Sequence, residues 1–159
     1  MTTNNNIVQN LSSPYGGTKR GASYFTLSEL THSTTAEACG IDNTPTVEVV
    51  PLMMELIDRV LDPLRERWGV PIYVTSGYRC PELNARVGGS KTSYHLRGMA
   101  ADITSRCPFH NAALFTEIRI MHREGKLPLT ECYLSQQGLY IHVAYDPAAP
   151  SDNPFFTKL

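Results

Sequence analysis

The stretch VEVVPLMMELIDRVLDPLRERWG, residues 47–69, constrains the fold more than any other part of the chain. Val50, Met53, Met54, Ile57, Val60, Leu61 and Leu64 recur at three- and four-residue spacing. On a helix that spacing draws one continuous apolar stripe, which must be hidden against a second layer. Thr46, with Pro45 before it, is the expected N-cap. Pro51 is tolerable in a first turn, whereas Pro63 is expected to kink the helix or start a second segment. Gly69 ends it, and Arg65 and Arg67 lie near the negative end of the helix dipole. The Met53–Met54 face is read as plain core, because methionines at helical spacing are ordinary packing.

Short apolar runs supply the second layer. PIYVTSGYR is β-branched and aromatic and reads as a strand ending at Ser76-Gly77, and AADIT reads as another. TECYLSQQGLYIHVAYD reads as a hairpin turning near Gln136-Gln137-Gly138. It would set Tyr140, His142 and Ala144 on one face and Ile141, Val143 and Tyr145 on the other. PFHNAALFTEIRIMHREGKLP is a second amphipathic helix, expected to turn Ala113, Leu114, Ile118 and Met121 inward and to end at Gly125. CPELNARVGGS is a helical turn stopping at Gly88-Gly89. In YFTLSELTHS, Thr26 or Ser28 caps a short helix carrying Leu27 and Leu30, and CGIDNTPT is a loop. Helices mixed with antiparallel strands give an α+β class: one small domain, an antiparallel sheet flanked by helices. Residues 1–22, rich in Asn, Ser, Thr and Gly, read as a flexible arm, and residues 23–159 as the domain.

Composition narrows the partners. A chain of 159 residues suits one compact domain. Fourteen Lys and Arg against fifteen Asp and Glu give a net charge of −1, which argues against bulk attraction to nucleic acid or an anionic membrane. No apolar run reaches the ~20 residues of a membrane span. The four cysteines, Cys39, Cys80, Cys107 and Cys132, form no CxxC pair, and their even number would allow two disulfides in three pairings. The opening MTTNNNIVQN has neither a basic n-region nor an apolar h-region, so a monomer made in the cytoplasm with four free thiols is the expectation.

The chemistry gathers in SYHLRGMAAD, residues 93–102, where His95 stands seven residues before Asp102 across a glycine that disfavours regular helix. His142, on the hairpin, is the third member. Two neutral imidazoles and one carboxylate form a common catalytic zinc set that leaves the fourth position to water. His32, His110 and His122 have no ligand-like company. Arg79, in SGYR at a strand end, could be held by tight packing and offer its fork to a carbonyl or carboxylate. Ser93 can bond a backbone amide or a substrate.

SGYRCPELNARVGGSKTSYHLRGMAADI, followed by YIHVAY, resembles the zinc D-alanyl-D-alanine carboxypeptidases of the peptidase M15 family, and most of all their phage and bacterial cell-wall branch. The signature SxHxxGxAxD is met by Ser93, His95, Gly98, Ala100 and Asp102, and the likeness extends upstream through FTLSEL and VLDPLRERWG over roughly residues 25–147. The resemblance implies an α+β fold with one Zn2+ on the sheet face, held by His95, Asp102 and His142. It implies Arg79 on the scissile carbonyl and oxyanion, and a peptidoglycan stem or cross-link peptide, cut near D-alanine, as substrate. Ser93, Gln136 and Tyr140 are the expected substrate contacts.

The family's usual base is a glutamate just before the last histidine. Counting back three or six residues gives Leu139 or Gln136, and an amide cannot accept a water's proton at neutral pH. Glu131 is therefore the first candidate base and Asp146 the second. Three functional classes follow: an active zinc peptidase with a displaced base, a zinc-bearing module that binds wall peptides without cutting, as the similar hedgehog signalling domain illustrates, and a phage structural component. A wall enzyme without an export signal would leave through a holin-type pore, travel in a virion, or act after lysis.

Overall fold

A computed structural model describes residues 22–149 and 155–158; the arm expected over 1–22 lies almost wholly outside the described residues. The elements run α1 (Leu27–Thr31), α2 (Thr34–Cys39), α3 (Val49–Leu56), α4 (Asp62–Trp68), β1 (Tyr73–Ser76), α5 (Pro81–Arg86), β2 (Ala100–Thr104), α6 (Pro108–Arg123), β3 (Glu131–Leu134), β4 (Ile141–Ala144) and β5 (Phe155–Lys158). The strands form one sheet in the order β1-β2-β4-β3-β5. The first four pair antiparallel, as the α+β reading requires, and β5 adds parallel to β3, a strand that the local pattern did not announce.

The apolar stripe is the heart of the core. Met53, Leu56, Val60, Leu61 and Leu64 are buried together with Ile103, Leu114, Ile118, Cys132, Ile141 and Val143 from the sheet and α6. Residues 57–61, between α3 and α4, form a π-helical turn. Pro63 has no N–H to give to Arg59, and its ring would clash with that carbonyl, so the chain takes an extra residue into the turn and continues. The expected N-cap, Thr46, is displaced: α3 starts after Glu48 with no side-chain cap, and Thr46 instead turns its carbonyl to the amides of Val49 and Val50. Thr26 does cap α1, in a reciprocal box with Glu29. Ala113 is exposed rather than core, because α6 turns Asn111, Leu114, Phe115, Ile118 and Met121 inward and Ala113 falls off that stripe.

All four cysteines are free. Two of them have a local use, since the Sγ atoms of Cys80 and Cys107 accept the amides of Leu83 and His110 as N-caps, each just before a helix-starting proline. Buried Asn111 closes the hairpin end: its Nδ2 donates to the Gly138 carbonyl at 2.8 Å and its Oδ1 accepts the Ser105 amide at 2.7 Å.

Gly98 shows why the SYHLRGMAAD segment needs its glycine. Its φ is +69°, and a Cβ there would sit 2.6 Å from Met53 Cγ and 2.7 Å from Val49 Cγ1. Gly98→Ala is expected to destabilise the fold by about 1–2 kcal/mol for the left-handed backbone and about 1–3 kcal/mol more for overpacking against α3. Chemical denaturation reads the sum directly, and a change below ~0.5 kcal/mol would refute the contact.

Candidate metal centre

Strand register builds the site. Ser76 pairs with Asp102, Asp102 with His142, and His142 with Tyr133, so one row of partners crosses β1, β2, β4 and β3. Partners in register point to the same face. Glu131, two residues before Tyr133, therefore shares that face, while Ala101, Cys132 and Val143 turn to the core.

His95 reaches the row from above, on a short 3-10 turn over Tyr94–Arg97. Ser93 Oγ accepts the His95 amide at 3.3 Å, and Gly98 closes the turn in the left-handed conformation. The His95 carbonyl accepts the Arg79 amide at 3.1 Å, and its Nδ1 lies 2.6 Å from the Gly77 carbonyl. A carbonyl only accepts, so His95 Nδ1 carries the proton and its Nε2 is left with a lone pair directed at the site. Gly77 is itself confined, since a Cβ there would run into the Leu30 backbone of α1. Buried Asn43 ties the same loop down by donating to the carbonyls of Thr31 and Tyr78 and accepting the amide of Cys80.

His95 Nε2 and His142 Nδ1 converge on Asp102 Oδ1, at 3.3 and 2.9 Å. The other carboxylate oxygen, Oδ2, accepts Arg79 Nη2 at 3.0 Å, while Arg79 Nε donates to Ser76 Oγ at 2.9 Å. All three members of the trio are buried, and one ligand atom from each lies within 4.8 Å of the others. Burial opposes the charge on Asp102, but the neighbouring His142 and His95 rings outweigh it and hold the carboxyl well below the usual range. His142 is pulled the same two ways. Burial disfavours its cation, and Asp102 and Glu131 more than restore it, so its pKa rises.

The second ring nitrogen, His142 Nε2, is buried with no hydrogen-bond partner. Glu131 Oε2 stands 3.3 Å away, within ion-pair reach but not aligned for a hydrogen bond. The His142 ring beside it lowers the Glu131 pKa, partly offset by burial, so Glu131 stays ionised at neutral pH. Tyr133 stacks on the His142 ring, centroids 4.6 Å apart and planes at 12°. Burial pushes its phenol up to about 12.

A cleft of about 510 Å3 opens onto this face, lined by Arg79, Ser93, Glu131, Tyr133, Tyr140 and the trio, with Gly88, Gly89, Ser90 and Thr92 on the opposite rim. The sequence-derived residues thus divide. His95, Asp102, His142, Arg79, Glu131, Ser93 and Tyr140 come together around one cleft. Gln136 lies exposed in the turn between β3 and β4, outside the residues lining the cleft, and Asp146 is engaged 3.3 Å from Arg97 Nη1. Tyr133 and the Gly88–Thr92 rim were not anticipated. Placing the hairpin centre between Gln137 and Gly138 would have set Tyr133 opposite His142; nothing local marks the rim.

Two imidazoles and a carboxylate, pre-gathered and buried, with one imidazole's tautomer locked from behind, fit a divalent metal. The family model for peptidase M15 matches residues 23–143. The chain belongs to the peptidase M15 family. No curated protein matches it. M15 peptidases are metal-dependent, and the trio on the sheet face is where this M15 chain could hold its ion. Among the described residues, no helix is long and apolar enough to cross a membrane.

Proposed function

We propose that the protein is a zinc metallopeptidase that hydrolyses peptidoglycan stem or cross-link peptides near D-alanine, with His95, Asp102 and His142 as ligands. The observation that carries this reading is the trio itself, buried and converging within 4.8 Å at the floor of an open polar cleft in an M15 chain. Bound there, zinc supplies a Lewis acid and a water whose pKa is lowered toward ~7.

The chain's own residues do the rest. Arg79, held by Asp102 and Ser76, keeps Asp102 Oδ2 occupied so that Oδ1 faces the histidines. Its charge also lines the cleft where a peptide carbonyl gains negative charge during attack. Glu131, ionised and in the cleft wall, accepts the proton of the attacking water and returns it to the departing amine. Its position supports it over Asp146, which Arg97 engages. Ser93 already accepts the His95 amide, so it orders the turn as well as facing the cleft. Tyr133 and Tyr140 remain neutral phenols in the wall, able to donate to a peptide carbonyl.

Purified protein is expected to carry about one equivalent of zinc and to release D-alanine or split cross-links from purified muropeptides, read by mass spectrometry. Metal-free native protein would sink the reading. Zinc-loaded protein that binds muropeptides and leaves them whole would establish the binding module instead.

A further inference from the structure

The rim of the cleft, residues 88–92, is held by a residue that does not line the cleft. Helix α5 ends in a Schellman turn: the Gly88 amide donates to the Ala85 carbonyl at 3.1 Å and the Gly89 amide to the Asn84 carbonyl at 2.8 Å, with Gly88 in the left-handed conformation. The Asn84 side chain then reaches past the turn, and its Nδ2 donates to the Ser90 carbonyl at 2.9 Å. That carbonyl also accepts the Ser93 amide at 3.1 Å, and Ser93 Oγ accepts the His95 amide. One buried asparagine thus ties the rim to the turn that carries His95.

Two features set Asn84 apart from ordinary core. Its Oδ1 is buried and finds no partner among the described residues, a cost that a leucine of similar volume would not incur. It also confines Gly89, since a Cβ there would run into that Oδ1. Helix α5 gains nothing from an unpaired acceptor, so the use of the asparagine lies at its other end, on the rim. The rim itself is equipped for a ligand. Among the described residues the amides of Ser90 and Lys91 donate to no protein acceptor, and the hydroxyls of Ser90 and Thr92 lie 3.1 Å apart on the cleft wall. Amides and hydroxyls along one exposed segment suit the carbonyls of a peptide main chain.

We propose that Asn84 is a positioning residue for substrate: it fixes residues 88–92 as a wall whose Ser90 and Lys91 amides grip the peptide main chain. It takes no part in holding the ion or moving a proton. His95 keeps its own ties to the Gly77 carbonyl and the Arg79 amide, so the metal site does not depend on the rim. The peptidase reading above supplies the class of ligand; the gripping wall and the residue that shapes it are added here.

Asn84→Leu keeps the volume and deletes the contact to Ser90. Calorimetry on zinc-loaded protein is expected to show a non-hydrolysable reduced-amide stem-peptide analogue binding about tenfold more weakly, the worth of one or two main-chain hydrogen bonds. Zinc content is expected to stay at the wild-type level. On a muropeptide the loss is expected in KM, with kcat within about threefold of wild type, as for an interaction made equally in the ground and transition states. Gly89→Ala serves should that variant not fold: it leaves Asn84 in place, displaces the rim through the clash with Oδ1 and is expected to weaken binding likewise. Adding Asn84→Ala to it removes the clashing atom, so the double variant is expected to bind no more weakly than Asn84→Ala alone. Unchanged affinity, a loss carried by kcat, zinc lost together with affinity, or losses that multiply in the double variant would each overturn the proposal, as would a wild type that does not bind the analogue. If the wild type binds without cutting and the variants weaken binding, the peptidase reading fails and the rim stands as a peptide site.

Discussion

Asp102→Ala is expected to abolish zinc binding and to destabilise even the metal-free protein. Asp102 Oδ1 is the point on which both histidines converge, and Oδ2 is the partner of Arg79. Deleting the carboxylate strips one of three ligands and leaves a largely buried guanidinium without its counter-charge. Breaking a buried pair by removing one partner costs about 3–5 kcal/mol. In a domain of this size that lowers Tm by roughly 6–20 °C at about 2–4 °C per kcal/mol. Two observables separate the effects. Metal analysis reads the lost ion, and calorimetry with and without zinc reads the lost linkage, since a ligand at 1,000 times its Kd stabilises the wild type by about 4 kcal/mol. A variant that still gains Tm with zinc would show that the ion binds elsewhere.

Glu131→Gln is expected to keep one zinc per chain and to lose about 10²–10⁴ in turnover, the usual worth of a positioned general base. The substitution preserves shape and removes only the ability to take a proton. Glu131 is outside the trio, so metal content should not follow activity down. The adjoining His142 ring holds its pKa below the ordinary glutamate value, so it is ionised at neutral pH, and it lines the cleft beside the trio. Steady-state kinetics on a muropeptide, alongside Asp146→Asn, decides the assignment. Wild-type turnover in the glutamine variant, with loss in the asparagine one, would pass the role to Asp146.

Much of this architecture is readable from local pattern because local physics governs it. The stripe from Val50 to Leu64 has to face a core whatever that core is, and it does. The strands over 73–76, 100–104, 131–134 and 141–144 follow from short apolar or alternating runs bounded by breakers. Errors fall where a second segment decides. Ala113 has the composition of a core residue but lies off the face that the sheet selects. Strand β5 exists through its parallel pairing with β3, a partner more than twenty residues away in the chain. Thr46 has the chemistry of a cap, yet the helix it precedes begins two residues further on.

For the site, SYHLRGMAAD and YIHVAY supplied the candidate donors through their likeness to the peptidase M15 signature, since His95, Asp102 and a distant His142 are by themselves a weak pattern. What sequence alone determined is therefore the inventory: an α+β chain with a candidate His95, Asp102 and His142 set, an Arg79 close to it, and no glutamate at the usual distance before His142. Only the tertiary structure shows which of the two candidate carboxylates lies beside the His142 ring. Glu131 is eleven residues from His142 along the chain, but the hairpin register brings its Oε2 to 3.3 Å from the ring. Register is a property of two strands and the turn between them, so no single segment encodes the distance that matters.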